Sequence, residues 1–168
     1  MASTHSVYLF RNIQTHQVLV STRQSLKNKG LNQLDSAIRP VRLRKDLWRP
    51  MLAITGLNTA QSAQALSDAL LQRSQSRQLE FRTEPEQLKR PKRLRIVDQK
   101  DLVEKSVVSL REALEDIAPK HFKDMKLTAL WEQQRFMEMA GEKGWPEFIE
   151  HGQLELKNNR FVPAEESS

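Results

Sequence analysis

The 168-residue chain is 38% hydrophobic and 29% charged, long enough for one domain with a buried core, and it has no apolar run near the roughly 18–20 residues of a membrane span. It contains no cysteine, which excludes disulfides, thiolate zinc sites and cysteine nucleophiles, and no secretory apolar segment follows Met1. The net charge of +6 is sorted along the chain: residues 1–56 carry nine Lys or Arg against two acids, 57–100 nine against five, and 101–168 nine against fourteen. A soluble, intracellular protein is expected, with a polyanion on its basic face and solvent or a protein neighbour on its acidic one. The first 34 residues hold no acid, a composition that suits import into an organelle, yet they also read as folded structure, so any targeting signal would be uncleaved.

In chain order, SVYLFRN (6–12) and QVLVST (17–22) carry strand patterns, and IQTH (13–16) between them is of hairpin length. SLKNKGLNQLDSAI (25–38) spaces Leu26, Leu31, Leu34 and Ile38 as a short helix or two turns, with Gly30 interrupting. WRPMLAITGLN (48–58) is a strand whose Pro50 predicts an edge or an entry position. A helix follows over 59–79, capped by Thr59, with Ala63, Leu66 and Leu70 on one face. LEFRT (79–83) and LRIV (94–97) read as short strands. DLVEKSVVSLREALEDIA (101–118) is the clearest helix, with Asp101 and Glu104 as a capping box and Pro119 as its stop. KLTALW (126–131) reads as a strand, the following residues as a helix ended by Gly141 or Gly144, WPEFIEHGQLEL (145–156) as a helix started by Pro146, and NNRFVPAEESS as a frayed tail.

These elements predict an α+β fold: a small mixed sheet with an N-terminal β-hairpin, packed by two to four helices and carrying basic loops. Residues 1–100 form a basic α/β region read as RNA-binding. Residues 101–160 form an acidic helical region packed on the same domain, and 161–168 a flexible tail.

No catalytic chemistry is legible. The five glycines form no phosphate-cradling loop, and His5, His16, His121 and His151 form no metal-ligand pair. His151 with Glu147 and Glu150 reads better as a polar helix surface than as a metal corner. No metal, cofactor or enzymatic activity is expected.

The basic segments are more specific. RPVRLRKDLWRP (39–50) puts Arg39, Arg42, Arg44, Lys45 and Arg49 around Trp48 between two prolines, which stiffen the loop and reduce the entropy lost on binding. Arginine suits phosphate, because its guanidinium fork can take two oxygens. Trp48 either pins the loop to the core or stacks on an unpaired base. KRPKRLR (89–95) adds Lys89, Arg90, Lys92, Arg93 and Arg95, with Pro91 expected to keep the chain extended. Arg11, Lys27 and Lys29 complete the candidate RNA-binding set. Folded RNA, where shape and phosphate contacts dominate, suits two stiff basic loops, although DNA would satisfy the same charges. In the C-terminal third, Trp131, Phe136, Met137, Met139, Trp145 and Phe148 read as core or as a protein-facing patch rimmed by acids.

VYLFRNIQTHQVLVS, followed about two dozen residues later by LRKDLWRPMLAI, resembles the fungal mitochondrial homologous-recombination family, whose members also serve as a large-subunit protein of the mitochondrial ribosome. The similarity rests on Tyr8, Phe10, Arg11, Asn12, Gln17 and Val18, then on Leu43, Arg44, Lys45, Asp46, Leu47, Trp48, Arg49 and Pro50, and spans residues 7–58. A pair like Trp145–Pro146 also recurs late in filamentous-fungal members. The resemblance implies a protein of the mitochondrial matrix bound to mitochondrial large-subunit ribosomal RNA. Neighbouring mitochondrial ribosomal proteins would be met through the acidic, aromatic C-terminal region. It also implies an alternative, ATP-independent pairing or transcription of mitochondrial DNA, with which the missing Gly-rich loop agrees.

Overall fold

The computed structural model describes residues 5–23, 28–34, 39–44, 46–57, 59–83, 85, 89, 91–94, 103–121, 126–140, 144–154, 156–157 and 160–161. Alternating apolar residues build β1 (His5–Asn12) and β2 (Val18–Ser21), which pair antiparallel with Tyr8 opposite Ser21 and Arg11 opposite Val18. The polar turn between them closes by local chemistry: the Asn12 Oδ1 accepts from the N–H groups of Gln14 at 2.9 Å and Thr15 at 3.0 Å, and His16 takes φ 64°. A 3-10 helix (Asn28–Gln33) follows where two turns or a short helix are expected. Its Gln33 side-chain amide bonds both the N–H (2.8 Å) and the C=O (2.7 Å) of Val20, occupying the outer edge of β2 in place of another strand.

β3 (Trp48–Leu57) is the central strand, flanked by β1 on one side and β4 (Leu127–Trp131) on the other. Pro50 is tolerated there because the register shifts between Leu9 and Phe10, opposite its neighbourhood, so a bulge absorbs the missing donor. β5 (Ile149–Gln153) pairs parallel to β4 and completes a mixed sheet of order β2-β1-β3-β4-β5.

α1 (Ala60–Thr83) starts where the Thr59 hydroxyl accepts from the Ser62 N–H at 3.0 Å. Ser62, Ala63, Leu66, Ser67 and Leu70 form its buried stripe, which continues as half-buried Arg73 and Arg77. α2 (Val103–His121) answers that change. Glu112 and Asp116 pair with Arg73, while the Lys105 carbonyl accepts from Arg77 at 2.9 Å and the Ser109 hydroxyl also meets it. Burial lowers the Arg77 pKa, with Arg73 adding repulsion and Glu112 opposing it. Leu9, Val18 and Val20 line a small cavity with Leu70, Ser106 and Ser109, which identifies the sheet face that α1 and α2 cover. Tyr8, Phe10, Leu19 and Ala53 are buried on the opposite face. Leu66, Leu110 and Leu114 have no exposed surface, and each such side chain is worth about 1.5–3 kcal/mol of transfer free energy. α3 (Gln134–Glu138) lies in the crossover between β4 and β5.

The α+β architecture with its N-terminal hairpin stands as expected, but several elements differ. LEFRT is the last part of α1 and not a strand, because neither Gly nor Pro interrupts 59–83. Pro119 does not stop α2. Its fixed φ is helical, so the chain continues two residues to His121 before ending. The Asp101 cap lies outside the described residues. WPEFIEHGQLEL is not a helix: the Ile149 N–H bonds the Pro146 carbonyl at 3.1 Å in a turn, and β5 follows. Turn plus strand happens to bury or half-bury Trp145, Phe148 and Ile149, a spacing that imitates a helix. The helix after β4 is only five residues long. In the tail, β6 (Leu156–Lys157) and β7 (Arg160–Phe161) form an antiparallel ribbon, so pairing begins where fraying is expected; residues 162–168 lie outside the described ones. The acidic region 101–160 thus supplies two strands of the main sheet as well as helices.

Candidate nucleic-acid interface

The 39–49 loop is tied down at both ends. Arg39 folds back onto the 3-10 helix, its Nε and Nη2 donating to the Leu34 carbonyl at 3.2 and 2.8 Å, as a cation does at a helix C-terminus. At the other end the Ile13 N–H of the hairpin turn bonds the Leu47 carbonyl at 2.9 Å, and Leu43 and Leu47 pack against the core. Between these anchors Val41 is fully exposed, and Arg42 has no hydrogen bond or ion pair among the described residues. Arg44 is exposed and pairs with Asp46 at 2.8 Å. An exposed pair of this kind is worth at most about 1 kcal/mol, so a phosphate can replace the carboxylate easily.

Two candidates have different surroundings from those a ligand contact needs. Trp48 is 4% exposed and belongs to the core, which removes its face from base stacking. Arg11 is 8% exposed: its Nε donates to the Glu132 Oε1 at 2.9 Å, its Nη2 forms an ion pair with the same oxygen, and it lies 5.4 Å from the Phe136 ring centroid. Arg49, half-exposed, donates from Nε to the Glu132 Oε2 at 2.6 Å. Glu132 therefore holds the ends of β1 and β3 together.

In its described residues the second basic segment is not extended. Lys92, Arg93 and Leu94 are helical, and the Leu94 N–H bonds the Pro91 carbonyl at 3.0 Å, because proline fits the first turn of a helix, where its missing donor has no partner to lose. Lys89, Lys92 and Arg93 are exposed. Lys27, Lys45, Arg90 and Arg95 lie outside the described residues, and Lys29 is on the backbone of the 3-10 helix.

Beside the hairpin turn a cleft of about 180 Å³ is lined by Arg11, His16, Val103, Glu104, Arg135, Phe136 and Met139. The sequence marks Glu104 as a cap and Glu132 as one of the acids rimming the aromatic residues, and carries no signal for Arg135. The signal that could have raised Glu132 is its position directly after the apolar alternation LTALW, but its two partners depend on strand order. At the β5 edge of the sheet the Trp131 indole N–H donates to the His151 Nδ1 at 3.0 Å, Trp145 packs edge-on against both, and partial burial lowers the His151 pKa. Among the described residues no group of three His, Asp or Glu could hold a metal ion, and no helix is long and apolar enough to cross a membrane.

The model of the family described as transcriptional regulation of mitochondrial recombination matches residues 4–84, which comprise the hairpin, the basic loop, β3 and α1. Over these residues the chain is similar to that family. A curated relative, the large ribosomal subunit protein mL67 of Schizosaccharomyces pombe, is 42% identical over 57 residues, 29% of this chain. That match spans 33% of the relative's length. The family segment thus contains the anchored loop and both β-strand ends that Glu132 joins, whereas Glu132 itself and the cleft's Glu104 and Arg135 come from outside it.

Proposed function

We propose that this protein is a structural component of the mitochondrial large ribosomal subunit, and that it binds ribosomal RNA through its basic loop. The observation that carries the reading is the anchored loop: Arg42 and Arg44 project from a segment fixed at Leu34 and at Ile13, within the part of the chain that matches the family. Such a loop loses little entropy on binding and presents guanidinium forks to phosphate. The likeness to mL67 supports the ribosomal setting and a location in the mitochondrial matrix. Arg39 and Arg49 flank the contact, Lys45 adds charge beside it, and Lys89, Lys92 and Arg93 form a second contact with the RNA backbone. Arg11 and Trp48 support the loop from within. The acidic residues of the C-terminal third face neighbouring ribosomal proteins. No catalytic step and no cofactor belongs to this role.

The test is sedimentation of the tagged protein from a mitochondrial lysate through a sucrose gradient, before and after a high-salt wash. Co-migration with the large subunit through the wash is the expected result. Recovery with DNA instead favours the second reading, a DNA-pairing or transcription-related role, which the description of the matching family supports.

A further inference from the structure

We propose that the cleft between the hairpin turn and the start of α2 takes one unstacked guanine of a bound RNA strand. This rests on the RNA-binding reading and adds a base-reading site to a surface otherwise read as gripping phosphate.

Size comes first. At about 180 Å³ the cleft is below the roughly 300 Å³ at which pockets for drug-sized ligands begin, and so fits a single ring system better than a whole nucleotide. Its chemistry is split. The exposed Arg135 offers only N–H donors, and Glu104 offers only acceptor oxygens, while Arg11, held by Glu132, forms the positive floor behind them. Guanine has the matching split, with O6 and N7 accepting on one edge and N1–H and the N2 amine donating on the next. Uracil has a single ring N–H, and adenine and cytosine each have a single amine group as donor. Arginine to O6 and N7 is also the commonest specific contact to guanine. A bare phosphate fits poorly, because the Glu104 carboxylate would repel it.

The walls are held in place. The fully buried Phe136 ring has the Arg135 guanidinium 4.7 Å from its centroid and that of Arg11 at 5.4 Å, so one aromatic side chain positions both cations. Arg135 and Glu104 are exposed and reachable, while Val103 and Met139 supply apolar surface for the face of a base. The rim residue His16 belongs to the turn whose Ile13 N–H bonds Leu47 of the basic loop. The cleft and the basic loop therefore share the hairpin turn as a common support.

The full chain is titrated with labelled 12-mers of uridine, with and without one central guanosine, and with inosine there, which lacks the N2 amine. The guanosine 12-mer is expected to bind about tenfold more tightly than the uridine one, in the lower part of the range for a bidentate base contact. Inosine should fall between them. Glu104→Gln, and separately Arg135→Ala at an exposed position, should each bring the guanosine-to-uridine ratio near one in protein whose circular dichroism is unchanged. Equal binding of all three 12-mers, or a ratio that survives both substitutions, overturns the guanine pocket and leaves the RNA reading standing. Failure of the wild type to bind any 12-mer at low salt overturns both.

Discussion

Arg49 and Glu132 lie 83 residues apart in sequence, yet the Arg49 Nε donates to the Glu132 Oε2 at 2.6 Å, while the other carboxylate oxygen holds Arg11. One acid therefore joins the family-matching hairpin and loop to the end of β4. The Glu132 side chain is 6% exposed and that of Arg11 10%, so neither charge can recover full hydration if its partner is lost. Glu132→Ala should cost about 3–5 kcal/mol, as for other broken buried pairs. Urea denaturation measures it, and a loss under about 1 kcal/mol would mean that water replaces the carboxylate.

The projecting arginines should behave in the opposite way. Arg42→Glu with Arg44→Glu changes two exposed side chains, so stability should stay within about 0.5 kcal/mol of wild type, read from thermal unfolding. Affinity for RNA should fall, and the slope of log K against log salt should shrink by about 0.7 for each lost phosphate contact on a single strand. A double variant that binds with an unchanged slope would remove this loop from the interface.

What could be read from the sequence follows from how local each signal is. The hairpin, β3, α1, α2 and β4 are written in runs of side chains whose period matches the element they form, and Thr59 and Asn12 mark their own turns. The parallel edge strand β5 was hidden because its neighbour β4 supplies the pairing and its own IEHGQ has one buried residue, Ile149. In the basic loop the charge count was visible, but the division of labour was not. Arg39 caps a carbonyl, Arg49 pairs with an acid from another region and Trp48 enters the core, all through contacts that only strand order brings about. Among the described residues of the loop, Arg42 and Arg44 are the arginines that project from it.

Gly56 is a backbone requirement. It has φ 94°, and a Cβ built there would lie 2.8 Å from the Lys126 carbonyl oxygen, which is backbone and cannot rotate away. Gly56→Ala combines a left-handed strain of about 1–3 kcal/mol with separation of β3 from the entry to β4. It should destabilise clearly more than Gly144→Ala, where φ is 64° but no atom lies within 4 Å of the added carbon. Comparing the two urea midpoints separates steric contact from backbone strain.

His151 should make stability depend on pH. Its Nδ1 accepts the Trp131 indole N–H, a bond only the neutral ring can make, and partial burial further disfavours the charged form, so its folded pKa lies below the usual value near 6.5. Between the lowered folded pKa and about 6.5 the unfolded chain binds the extra proton and the folded one does not. The histidine's contribution is thus fully present above about pH 6.5 and is lost as the pH falls through that value towards the folded pKa. Urea midpoints at pH 7.5, 6.5 and 5.5 for wild type and His151→Gln isolate it from the carboxylates, which titrate in both proteins. The difference between the two should narrow as the pH falls. A constant difference would mean that the ring titrates alike in the folded and unfolded chain, so that neither burial nor the Trp131 bond acts on it.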